Sequence, residues 1–207
     1  MTVSEIDALE CQRPAAKVAR LVLGDARVLY DFDDALDRIG HDDAVSVIIV
    51  ATPAGCAAPD APSAIGDEMY ARIGERCRRL RKPVIAEVHG SCPPAVVRGC
   101  DLAVFARGAA TLDDVDLFDA GARRARRLLF SAGFDDASAL DALGHVVPDV
   151  DVESSTLRLA SRIAAQPLFV LTLLKEAFTA VVDSRGSRAG LSSRATDFDS
   201  PPHIPRR

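Results

Sequence analysis

Lysine is almost missing from this chain of 207 residues: only Lys17, Lys82 and Lys175 occur, and arginine carries the basic character. The formal net charge is −5, so the sequence lacks the basic balance that a nucleic-acid footprint requires. Cysteine is present but not in pairs. Cys11, Cys56, Cys77, Cys92 and Cys100 are odd in number, contain no Cys-x-x-Cys spacing, and with four scattered histidines form no metal pattern. They read as reduced, mostly packing thiols of a cytoplasmic protein. Met1 to Pro14 carries Glu5, Asp7 and Glu10, which excludes the basic and then apolar character of a secretory leader. The longest apolar run, Pro167 to Val182, is broken by Lys175 and Glu176 and falls short of the ~20 residues of a membrane span. The expectation is a soluble protein with no nucleic acid, membrane or metal partner.

With 48% hydrophobic and 27% charged residues, the chain has the composition of one globular domain. Val18 to Leu23 alternates as a strand does, and Phe32, Ala35, Leu36 and Ile39 sit at helical spacing behind Asp31, a candidate N-cap. Val45 to Ala51 is a continuous branched apolar run, the mark of a strand buried on both faces. Thr52 to Ser63, with Pro53, Gly55, Pro59 and Pro62, reads as loop. Ile65, Met69, Ile73, Cys77 and Leu80 line one side of a helix whose other side is arginine-rich, and Pro83 ends it. Val84 to Val88 and Leu102 to Ala106 are two further strands, joined by a segment with room for a turn or two of helix. Beyond Asp116 the reading is helical, with Asp136 capping Ala137 to Leu143, a short strand at Val146-Val147, and helices over Ser155 to Ala165 and Pro167 to Val182. Strand and helix alternate as in an α/β domain with a largely parallel sheet. The expected organisation is an α/β core over 1–150, a helical segment over 151–183 and a disordered tail over 184–207, rich in Ser, Arg, Gly and Pro.

Lys82-Pro-Val-Ile-Ala-Glu-Val-His-Gly90, followed by Gly99-Cys-Asp-Leu-Ala-Val-Phe-Ala106, resembles the centre of the crotonase (enoyl-CoA hydratase/isomerase) superfamily. Val45 to Thr52, Ala137 to Asp149, Ile163 to Leu168 and Lys175 to Ala177 resemble further segments of that family, so the likeness spans roughly residues 18 to 182. The resemblance implies a crotonase-like ββα spiral with C-terminal helices. It also implies coenzyme A thioesters as ligand or substrate, no further cofactor, and assembly as a homo-oligomer or as a hetero-oligomer with a related subunit. Chemistry in that family rests on two backbone N–H groups that grip the thioester carbonyl and on one or two carboxylates that move protons.

This sequence departs from the pattern at each of those parts. Where the family has a triple-glycine turn, Gly90-Ser-Cys-Pro-Pro-Ala-Val96 stands here. Counted from Gly90 the second N–H donor falls on Ala95; counted back from Cys100 it falls near Cys92. Pro93 and Pro94 have no N–H to offer. The first donor falls on Ala58, in a shortened loop. The first family glutamate has no carboxylate counterpart, and the second falls on Asp116, within an acidic cluster of Asp113, Asp114, Asp116 and Asp119. The catalytic candidate is therefore Asp116, the oxyanion-hole candidates are Ala58 and Ala95, and His89, Gly90 and Cys92 are candidates for substrate contact. Arg123-Arg124 and Arg126-Arg127 are candidates for coenzyme A phosphates. Two functions fit: an acyl-CoA-binding or scaffold subunit with hydratase activity reduced or lost, or an acyl-CoA isomerase or hydratase-like enzyme with Asp116 as its single acid and base and backbone N–H groups as its oxyanion hole.

Overall fold

The computed structural model describes residues 11–23, 29–52, 64–90, 92–109 and 145–180. Among these residues six strands form one sheet in chain order: β1 (Cys11–Ala15), β2 (Val18–Val22), β3 (Val47–Thr52), β4 (Val84–Val88), β5 (Leu102–Ala106) and β6 (His145–Val147). β1 and β2 form an antiparallel hairpin, and each later neighbour pairs in parallel. Helices α1 (Leu29–His41), α2 (Ala64–Arg79) and α3 (Pro94–Gly99) make the crossovers from β2 to β5. Each parallel crossover advances the chain by one strand in the same direction, which makes a spiral. A short 3₁₀ turn then leads into α4 (Val152–Ala164) and α5 (Leu168–Ala180). No single helix among the described residues is long and apolar enough to cross a membrane.

The apolar runs become the centre of the sheet, where every residue of β3, β4 and β5 is buried. α4 packs across those three strands, with Val152, Leu159, Ala160 and Ile163 joining the same core. Small side chains such as Ser155, Thr156 and Ala160 permit that close approach. β1 is not foreshadowed by its sequence. It is an edge strand containing Pro14, exposed along most of its length, and its turn into β2 depends on Lys17 at φ +61°. Asp31 is not the cap expected of it, because α1 begins two residues earlier and takes Asp31 into its first turn. The arginine side of α2 faces acids on α1 rather than water alone: Arg76 reaches Asp33 and Asp37 at 2.9 and 2.7 Å, and Arg72 reaches Asp33 at 2.7 Å.

Two of the three lysines are buried at helix ends. Lys82 donates to the carbonyls of Ile39 and Asp42 (2.9 and 2.7 Å) at the end of α1, and burial pushes its ammonium down from the usual range. Lys175 donates to the carbonyls of Cys77 and Lys82 (2.8 and 2.9 Å) and meets Asp101 Oδ2 at 2.8 Å. In both places a cation occupies the negative end of a helix and satisfies carbonyls that the helix leaves free.

Acid should loosen this frame. The Arg13 hydrogen bond holds the Asp42 carboxyl below its ordinary value, and the Arg78 hydrogen bond does the same for Glu75. A carboxylate depressed in the fold stabilises it above the unfolded value and loses that contribution as pH falls through the folded one. Thermal melts from pH 7 to pH 3 should therefore fall, and Arg13→Gln should make the acid limb shallower.

Candidate functional site

In parallel sheets, ligands are met at the carboxyl ends of strands. Here β3 and β4 end together: the His89 N–H donates to the Thr52 carbonyl at 3.2 Å, and the Thr52 hydroxyl donates to the Glu87 carbonyl at 3.3 Å. His89 and Gly90, both partly exposed, follow β4 at this end, and Ala95 stands at the start of α3. Ala58 and Asp116 lie outside the described residues, as do the two arginine pairs.

α3 begins in proline. Pro93 precedes it, Pro94 is its first residue, and no side chain caps it. The N–H groups of Val96 and Val97 turn back onto the Pro93 carbonyl at 3.0 and 3.4 Å. Ala95, the second residue, keeps the N–H that a first helical turn leaves unpaired; among the described residues it has no acceptor. Cys92 sits differently. Its side chain is buried, and its sulfur lies 3.8 Å from the Pro93 carbonyl. Together with Cys77 it lies beside Cys100, whose thiol is pushed well above its ordinary range by the Cys77 hydrogen bond and by burial. These three thiols belong to the packing of α2 and α3.

The position of α3 is fixed by two glycines. A Cβ at Gly99 would stand 2.0 Å from the Gly74 carbonyl oxygen, and one at Gly74 would stand 2.2 Å from the Ala95 carbonyl oxygen. α2 and α3 therefore meet backbone on backbone, and that contact sets where the Ala95 amide lies.

A polar network that sequence reasoning missed underlies His89. Glu87, with a fully buried side chain, takes a forked ion pair from Arg20 of β2: Nη2 to Oε1 at 2.6 Å and Nε to Oε2 at 3.3 Å. The same Oε1 lies 2.8 Å from His89 Nε2, and Gln12 accepts from Arg20 Nη1 at 2.8 Å. Strand geometry explains the grouping. Glu87 and His89 are two residues apart and share one face, and the register places the small side chain of Ala51 between Glu87 and β2, so Arg20 can reach over β3. A glutamate inside an otherwise apolar central strand was the available signal, since a buried charge demands a partner.

A cavity of about 310 Å³ lined by Gly40, Asp43, Arg81, Lys82, Leu168, Phe169 and Thr172 lies at the amino end of β4, the opposite end from His89. It is separate from this site.

No family model matches the chain. EchA13 of Mycobacterium tuberculosis, described as an enoyl-CoA hydratase, is 32% identical over 141 residues, covering 59% of this chain and 44% of that protein. The match thus spans less than half the length of this curated relative. A crystal structure described as an enoyl-CoA hydratase from Mycobacterium thermoresistibile aligns with TM-score 0.62 at 25% identity, covering 89% of this chain and 92% of that one. A structure described as a monofunctional enoyl-CoA isomerase from M. smegmatis aligns equally well, TM-score 0.62 at 22% identity, over 84% and 93% of the two chains. Hydratase and isomerase share the architecture, so the fold does not choose the reaction. The crotonase-like α/β fold anticipated from Lys82 to Ala106 is the fold the chain adopts, and the proteins it resembles in sequence and structure are of the crotonase (enoyl-CoA hydratase/isomerase) kind.

Proposed function

We propose that the protein binds acyl-CoA thioesters at the carboxyl ends of β3 and β4 and serves as a binding or scaffold subunit whose hydratase activity is reduced or lost. The supporting observation is α3. It presents at Ala95 an amide with no acceptor among the described residues, between prolines and an apolar turn, with no carboxylate from Pro94 to Gly99. Water addition needs a base to deprotonate the water that attacks C3 and an acid to protonate C2, and losing one preorganised donor or one acid removes roughly 10²–10³ in rate. The exposed apolar residues of α5, Phe169, Val170 and Leu173, favour a subunit role, since they provide surface for a second chain.

Calorimetry with butyryl-CoA should give saturable binding, while crotonyl-CoA hydration should be undetectable beside an active hydratase. Absence of butyryl-CoA binding would overturn the acyl-CoA reading. Hydration at ordinary enzymatic rates, abolished by Asp116→Asn, would overturn the lapsed-hydratase reading. A second reading, an isomerase-type enzyme with Asp116 as acid and base and Ala58 and Ala95 as carbonyl donors, gains support from the proton-handling pair Glu87–His89 at the same end of the sheet.

A further inference from the structure

We propose that His89 Nδ1 is the group that removes and returns the substrate's α-proton, with Glu87 and Arg20 as the positioning residues that aim it. This rests on the acyl-CoA binding proposed above and keeps the isomerase chemistry of its second reading, with His89 in the place given there to Asp116.

The argument begins with the tautomer. Glu87 is paired with the Arg20 guanidinium and offers only acceptor oxygens, so the ring nitrogen 2.8 Å from Oε1 must carry the hydrogen. That nitrogen is Nε2. In the neutral ring Nδ1 then holds the lone pair, and no described residue supplies it with a partner. The ring is held at one end by a buried carboxylate and about one-fifth of the side chain is exposed at the end of the sheet where β3 and β4 terminate. A base oriented by a buried acid, itself fixed by a third group, is the arrangement that general base catalysis requires.

On a 3-enoyl-CoA thioester the step balances without a further reactant. Nδ1 takes a proton from C2, the C–H electron pair becomes the C1–C2 π bond, and the carbonyl pair moves onto oxygen, facing the Ala95 amide. The imidazolium formed is stabilised by Glu87. Nδ1 then returns the proton to C4 as the double bond settles between C2 and C3, and the ring is neutral again.

Deuterium uptake at C2 of butyryl-CoA in D₂O, followed by NMR on the full chain, tests the step without requiring a complete reaction. The expected result is exchange by the wild type that falls about 100-fold or more in His89→Gln, the loss typical of a removed general base, with butyryl-CoA affinity unchanged within about threefold (roughly 0.6 kcal/mol, below the worth of one hydrogen bond). Glu87→Gln should lower the exchange rate with little change in affinity. It should also move the ¹⁵N signals of the His89 ring from a pure Nε2–H pattern toward a mixture of tautomers, which a merely structural loss would not produce. Undiminished exchange in His89→Gln would overturn the proposal and leave acyl-CoA binding standing. So would butyryl-CoA binding by the wild type without exchange. An Nδ1–H pattern in the wild type would overturn it whatever the ligand, and failure of butyryl-CoA to bind would overturn both readings together.

Discussion

Lys175→Met is expected to lower folding stability by about 3–5 kcal/mol, the loss typical of removing one partner from a buried ion pair. The Lys175 ammonium is buried between the end of α2 and Asp101, where it serves the carbonyls of Cys77 and Lys82 and one carboxylate oxygen. Methionine fills similar volume but leaves Asp101 charged, with the Val84 N–H at 2.9 Å as its one remaining partner among the described residues. The two carbonyls lose the same donor, and the end of α2 loses a cation at its negative pole. Adding Asp101→Asn should recover part of the loss, because a neutral amide costs less to bury than an unpaired carboxylate. Urea denaturation of the three variants at neutral pH checks this. Equal midpoints for wild type and Lys175→Met would show that the ammonium contributes nothing, and no gain in the double variant would show that Asp101 is not the group left stranded.

Lys175, Asp101 and Lys82 also show how far the residues themselves speak. All three lie in the stretches that carried the family resemblance, yet the sequence could not say whether they serve chemistry or structure; the coordinates place them at helix ends and strand starts, away from His89. The central strands were legible because continuous apolar runs have few other ways to be buried. β4 and β5 match their expected bounds, and β2 and β3 differ by two residues or less. β1 was not legible, since an exposed edge strand with a proline leaves no periodicity to read. Counting from Gly90 pointed to Ala95, whose N–H has no acceptor among the described residues, whereas counting from Cys100 pointed to Cys92, whose thiol is turned into the core. The Arg20–Glu87–His89 network escaped because its members come from two strands separated by β3, and only the register brings them together. Glu87 alone carried a hint, as a charge in the middle of Val-Ile-Ala-Glu-Val.

Gly99→Ala is expected to cost stability and ligand affinity together, although no ligand need touch residue 99. Alanine would favour the helix by up to about 1 kcal/mol over glycine. Against that stands a Cβ placed 2.0 Å from the Gly74 carbonyl oxygen and 2.5 Å from its Cα. Both are backbone atoms of a packed helix, so no rotamer change can relieve the overlap and the two helices must part; overpacking of this kind costs about 1–3 kcal/mol and occasionally more. The clash therefore outweighs the propensity gain. Moving α3 shifts the Ala95 amide, since its own carbonyl rests on Gly74. Gly40→Ala is the informative comparison, because there the added carbon meets only the tip of the Leu80 side chain at 2.8 Å, which can rotate away. Gly108→Ala is the neutral one, with its nearest neighbour at 3.7 Å. Urea midpoints should fall in the order Gly108→Ala, Gly40→Ala, Gly99→Ala, and butyryl-CoA affinity should drop only in the last. If Gly99→Ala retains both wild-type stability and wild-type affinity, the backbone contact between α2 and α3 does not position the amide, and the acyl-CoA reading loses the geometry on which it stands.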